Sequence, residues 1–236
     1  MNYLSHYYFD QQNTDPYYIL GIALPDLVKN SNRRWNVHPH KHEAKLEENP
    51  IFSSIYAGWK RHVTVDHYFH EAAYFLEKSH MITERMRTIP FENNKVKPFM
   101  IGHVGLEIML DTLLLINHKI NGISFYESLD KCDINQIIKF LELNEIENAA
   151  EFEKFYARFC ESRYLLSYQS NESIVYALNR IQYRLTRQFF TETDVRLMHI
   201  NIAELMDIVE QDYLFIFDEI EAHLFNEKTS PILPTS

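Results

Sequence analysis

Pro98-Phe-Met-Ile-Gly-His103-Val-Gly-Leu-Glu107-Ile-Met-Leu-Asp111-Thr-Leu-Leu-Leu-Ile-Asn-His118 is apolar on nearly every side of a helix. Pro98 suits the first turn, where its missing N–H is not needed. Phe99, Ile101, Val104, Leu106, Ile108, Leu110 and Leu113 to Ile116 are spread around the axis. Apolarity all round predicts a buried central helix over 98–118, and with it an all-α protein. His103, Glu107 and Asp111 are the exceptions. They recur every fourth residue and form a ladder that drifts by roughly 40° per step. Charged groups inside such a helix need partners. Two buried acids on one helix raise each other's pKa unless a cation lies between them.

Working outward, a second ladder precedes this one. Residues 52–79 read as one long helix, with Ile55, Trp59, Val63, Phe69, Ala73 and Leu76 near helical spacing. His62 and Asp66 share one of its faces, and His67 and His70 lie on an adjoining face. Imidazoles and carboxylates projecting from facing helices suit a divalent hydrolytic centre. The alternative is a core hydrogen-bond network, with Arg61 or Lys97 as counter-charge. For His67 and His70 the ordinary reading, exposed helical histidines, is preferred. Further helices are expected at 2–12, 134–142, 148–166, 172–188 and 194–225. The last carries an apolar stripe (Val195, Met198, Ile202, Leu205, Val209, Ile216, Ile220) with the spacing of a packed bundle. Tyr17–Val28 is apolar up to Pro25-Asp26, residues 30–50 read as a loop, and Asn121-Gly122 ends the central segment. His38, His40 and His42 read as an extended, exposed stretch. No linker divides the chain, so one helical domain is expected over 1–228, followed by a disordered tail at 229–236.

Composition narrows the function classes. The chain has 236 residues with only five glycines and eight prolines, which favours long helices over many short strands. A formal charge of −10 argues against nucleic-acid binding. No uninterrupted apolar run approaches the roughly 18 residues of a membrane span. Met1–His6 lacks the basic and apolar regions of a signal peptide, and Cys132 and Cys160 lack zinc or disulfide spacing, so a cytoplasmic protein is expected. Glu-x-x-His pairs, His-Glu-x-x-His, a phosphate loop and a nucleophile elbow are all missing from the expected places. Lys29, Arg33, Arg34, Lys60 and Arg61 cluster in sequence. They read as solvated loop charges or as a docking patch for an anionic substrate or partner.

The order of these blocks resembles acyl carrier protein phosphodiesterases. Met1-Asn-Tyr-Leu-Ser-His6 is similar to that family's Met-Asn-Phe-Leu-Ala-His start. Gly21-Ile-Ala-Leu-Pro-Asp26-Leu-Val-Lys29 is similar to Gly-Asn-x-x-x-Asp-Phe-Val-Lys/Arg. Arg61-His62-x-x-x-Asp66 matches His-Arg-Arg-Ile-Asp, and Leu106-Glu-Ile-Met-Leu-Asp111 matches Leu-Asp-x-x-x-Asp-His. Weaker similarity runs from Tyr168 to Arg184. The resemblance implies an HD-domain-like helical fold and a divalent metal: manganese (Mn2+) first, with Fe2+, Mg2+ or Zn2+ as alternatives. It also implies hydrolysis of the phosphodiester joining 4′-phosphopantetheine to acyl carrier protein. The residues it carries over as ligands or catalytic groups are His6, Asp26, His62, Asp66, Glu107 and Asp111, with Asp26, His62 and Asp66 in the catalytic set. Ile22, Glu107 and Thr112 depart from the family's Asn, Asp and His, and His103 is the candidate replacement for that lost histidine. Two other readings remain at this stage. One is a phosphohydrolase for nucleotides or other small phosphoesters, the other a non-catalytic helical binding protein with a decayed site.

Overall fold

A computed structural model describes residues 1–229. Their regular structure is helical throughout, with no strand among the described residues. The expected tail at 229–236 lies outside these residues, apart from Thr229 at the end of the last helix. By contacts the chain divides into two compact units, one formed by Met1–Thr64 and Leu114–Gln169, the other by Val65–Leu113 and Ser170 onward. The chain passes from one to the other inside helices at 64–65 and 113–114, and once between helices at 169–170. Composition therefore carries no linker signal there.

The first unit holds α1 (Tyr3–Tyr8), α2 (Pro16–Ser31), a 3-10 turn (Pro39–His42), α3 (Glu43–Glu47) and the start of α4 (Pro50–Glu71). Asp15 caps α2, its carboxylate accepting from Tyr17 N at 2.9 Å and Tyr18 N at 3.4 Å, with Pro16 in the first turn. The helix continues through Pro25 to Ser31. Pro25 removes one helical donor, while buried Leu24, Leu27 and Val28 keep the segment packed on either side.

Next come α7 (Gly122–Asp130), α8 (Ile134–Leu143), α9 (Glu151–Ser162) and a 3-10 turn (Tyr164–Ser167). α6 (Pro98–Ile116) contributes only its last residues here. Asn121 accepts from Ile123 N at 3.0 Å and Ser124 N at 3.4 Å, so Asn121-Gly122 begins α7 where the sequence reading had placed only an ending. Tyr3 packs against Phe159 (centroids 5.2 Å) and Tyr7 against Phe125 (5.4 Å), and Tyr156 donates its buried hydroxyl to Leu129 O at 2.8 Å. Cys132 and Cys160 are both reduced thiols.

The second unit holds the end of α4, α5 (Ala73–Arg87), most of α6, α10 (Asn171–Thr186), α11 (Glu192–Glu210) and α12 (Leu214–Thr229). The single helix expected over 52–79 is broken at Ala72, whose ψ of 132° is extended. No glycine or proline marks the place. Side chains from α12 and the α11–α12 turn hold it instead. Glu219 accepts from Ala73 N at 3.4 Å, and Asp212 accepts from Tyr74 Oη at 3.1 Å and Lys78 Nζ at 2.7 Å. The same contacts explain why 194–225 is two helices: the turn between them presents Asp212. Asp194, fully buried, accepts from Glu92 N (2.7 Å), Asn93 N (3.1 Å) and Thr191 N (3.1 Å), fastening the 91–95 segment to the start of α11. α6 begins at Pro98 as expected. By length and composition it could cross a membrane, but most of it is buried inside the protein.

Candidate metal centre

In the first unit, Gly21 and Gly58 let α2 and α4 meet backbone to backbone. A Cβ on Gly58 would stand 2.1 Å from Tyr18 O, and one on Gly21 would stand 2.2 Å from Ile55 O. One turn beyond Gly58 is His62, buried, with Nδ1 2.7 Å from Ile22 O. A carbonyl only accepts, so Nδ1 carries the proton and Nε2 the lone pair. His6 is buried as well and stacks on His62, with centroids 3.9 Å apart and 19° between the rings. An imidazole whose far nitrogen is held by a backbone carbonyl is what metal-ligating histidines usually show. Asp26 lies half-buried one turn after Ile22. Burial holds the Tyr3 phenol well above its ordinary value, and the charge of Asp26 adds to that rise.

In the second unit, α4 supplies Asp66 and His70, and α6 supplies His103, Glu107 and Asp111. Gly102 sits where a Cβ would be 2.1 Å from Thr83 Oγ1 and 2.5 Å from Ser79 O, so α5 and α6 approach closely just before His103. The Phe75 ring stands nearly perpendicular to both imidazoles, its centroid 5.1 Å from that of His70 and 5.0 Å from that of His103. The break at Ala72 is what lets Phe75 stand there. His70 Nδ1 is 2.8 Å from Asp66 O and 3.4 Å from the Asp66 carboxylate. Its Nε2 is 3.2 Å from His103 Nε2 and 3.9 Å from Glu107 Oε1, and His103 Nε2 is 3.1 Å from Glu107 Oε1.

Two ionisation shifts follow. The hydrogen bond to Asp66 raises the His70 pKa. Burial alone would raise the Glu107 carboxyl, yet it is held below its ordinary value, with the bond and charge of His103 among the causes.

The remaining sequence candidates are placed as follows. Asp111 is fully buried one turn past Glu107. Thr112, where the resembling family has histidine, donates its hydroxyl to Ile108 O at 2.9 Å. His67 stays on the exposed face, 3.5 Å from Glu71, as the ordinary reading had it. His70 does not: it is turned into the cluster, and sequence spacing had set it aside. Its signal was the i, i+4 relation to Asp66. His38, His40 and His42 are not extended but belong to or flank a 3-10 turn. They fan out, His40 toward Trp59 (6.1 Å) and His42 toward Glu145 (3.9 Å). Of the basic residues, Arg61 Nε pairs with Asp10 at 2.7 Å in a largely buried contact, and Lys60 faces Glu43 at 3.5 Å above the Tyr56 ring. Lys29, Arg33, Arg34 and Lys60 are exposed.

Compared with known protein families, curated proteins and solved structures, the chain matches none. The fit to a metal therefore rests on the donor set. Ligands sharing an ion at about 2.1 Å stand roughly 3.0 to 3.4 Å apart. The His70, His103 and Glu107 donor atoms all lie within 4.8 Å of one another, two of the three pairs at 3.1 and 3.2 Å. Two imidazole nitrogens and one carboxylate are a set that divalent ions take.

Proposed function

We propose that the protein is a divalent-metal-dependent phosphodiester hydrolase with an HD-domain-like fold, acting on the diester between 4′-phosphopantetheine and a serine of acyl carrier protein. The observation that carries the metal is the His103–Glu107 pair on α6, 3.1 Å apart on a helix whose only other charged side chain is Asp111. The substrate rests on the order of the four sequence blocks, in which Asp66, Glu107 and Asp111 fall on the same α4 and α6 ladders.

His103 and Glu107 would hold the ion. Bound there, it would neutralise a phosphate oxygen and lower the pKa of a water, supplying hydroxide near neutral pH. The pKa of Glu107 is held below its ordinary value despite burial, which favours the charged form a cation needs. Apolar neighbours on α6, Leu106 and Ile108 among them, are buried and keep bulk water from the helix side of the pair. His6, Asp26 and His62 of the first unit remain in the functional set, as the resemblance implies. Lys29, Arg33, Arg34 and Lys60 would receive an acidic carrier protein, so raising salt should slow the carrier reaction more than turnover of a small diester.

The test is mass spectrometry of holo-acyl carrier protein incubated with the protein and, in separate runs, manganese, ferrous, magnesium or zinc chloride, beside Glu107→Gln and Asp26→Ala. Loss of the phosphopantetheine mass with wild type alone supports the reading. Turnover of nucleotides with the carrier untouched keeps the hydrolase and rejects the carrier. No hydrolysis of any phosphoester rejects both.

A further inference from the structure

We infer that His70, His103 and Glu107 form a three-donor face for a nitrogen-preferring divalent ion of the iron-to-zinc series. The inference rests on the metal of the reading above, but it adds His70 as a ligand and narrows the ion. Neither follows from the sequence blocks, which contain no counterpart of His70.

Three features carry it. The first is direction. Asp66 O accepts from His70 Nδ1 at 2.8 Å, which leaves the lone pair on Nε2, the atom 3.2 Å from His103 Nε2. His70 Nε2, His103 Nε2 and Glu107 Oε1 thus converge, and a hydrogen atom lies on one line between two of them at a time. A cation at the centre contacts all three together. The second is rigidity. Phe75 abuts both imidazole rings at nearly right angles, and the Asp66 carbonyl and carboxylate hold the far side of His70. Such support is what keeps ligands within the tolerance of a metal site.

The third is chemistry and access. Two imidazoles with one carboxylate favour zinc, iron and their neighbours, whereas magnesium and calcium take oxygen donors. Side-chain exposures of 34% for His70 and 44% for His103 leave the remaining coordination positions facing solvent, where a phosphate oxygen or water can enter.

The experiment uses the full chain stripped with chelator and titrated with cobalt, zinc or magnesium chloride, followed by calorimetry and by the visible spectrum of cobalt. Wild type should bind cobalt and zinc at least a hundredfold more tightly than magnesium. His70→Ala and His103→Ala should each remove the same equivalent of tight cobalt, weakening it roughly a hundredfold or more, since even outer partners of ligands are worth 10- to 100-fold. His67→Ala, exposed on the same helix, should bind as wild type does. Far-ultraviolet circular dichroism checks that each variant is folded, and the exposure of His103 makes its truncation the safer of the two.

Equal cobalt binding by wild type, His70→Ala and His103→Ala overturns the site, as does magnesium binding as tightly as zinc. Cobalt lost in both variants while diester hydrolysis persists supports the site and rejects its role in the proposed reaction. Cobalt bound as expected with no hydrolysis by wild type supports the site and removes the hydrolase reading alone.

Discussion

Gly58→Ala tests the contact on which the orientation of His62 depends. The new Cβ would lie 2.1 Å from Tyr18 O, 2.9 Å from Gly21 Cα and 2.9 Å from Ile22 N. All three are backbone atoms, so no side chain can swing aside. Relief requires α2 and α4 to separate by about 1 Å, since ordinary contact needs roughly 3.2 Å or more. Such a movement breaks the 2.7 Å bond from His62 to Ile22 O one turn away. Overpacking costs about 1–3 kcal/mol and the lost buried bond about 1 kcal/mol. Alanine's helix propensity returns about 1 kcal/mol. The net is a destabilisation of about 2 kcal/mol, or roughly 4–8 °C in Tm for a chain of this size.

Gly105→Ala is the matched control. Its Cβ would meet nothing nearer than Ile101 Cγ2 at 3.6 Å, in the interior of α6. It should stabilise the protein by about 0.4–1 kcal/mol. Urea denaturation of both variants beside wild type reads the difference. If Gly58→Ala proves as stable as Gly105→Ala, the close crossing of α2 and α4 is wrong, and the account of His62 goes with it.

Three further outcomes are expected. Asp194→Ala leaves three backbone donors without their acceptor and should cost about 3 kcal/mol, measured by urea denaturation; a loss under about 1 kcal/mol would contradict the fastening role. Arg61→Met should cost about 2 kcal/mol, while Lys29→Ala and Arg34→Ala should stay within about 0.5 kcal/mol. Thermal melts of the three variants separate the structural arginine from the exposed charges, and equal effects would erase that distinction. Burial pushes the thiols of Cys132 up to about 12 and Cys160 up to about 11, from 9.0. Because these folded values are raised, the stability they contribute is complete below the unfolded value. It is lost as pH rises through about 11 and 12. In the same sense, iodoacetamide at pH 8.5 should alkylate the native protein more slowly than the urea-unfolded chain, by roughly seventyfold or more, as the thiolate fraction falls. Equal rates would show the thiols to be accessible and unshifted.

Local and periodic features were readable in the sequence. The apolar surface of 98–118 required a buried helix, and Pro98 marked its first turn. Few glycines and the long stripes required an all-helical chain. The four-residue spacing of His103 and Glu107 sufficed to bring them together, because neighbours on one helix turn meet wherever the helix lies. Capping was partly readable too: Asn121 had the side chain for an N-cap, but beside Gly122 it looked like an ending.

Tertiary structure decided what depends on residues far apart in sequence. The break at Ala72 has no local cause, since Glu219 and Asp212 hold it from more than a hundred residues away. That break places Phe75 beside His70 and His103 and so separates the inward His70 from the outward His67. Spacing alone left the two histidines alike. Arg61 and Lys60 were likewise equivalent as neighbouring positive charges until Asp10 took one into a largely buried pair. Helical period specifies which side chains share a face; which face is covered, and by what, is fixed only when distant segments pack against it.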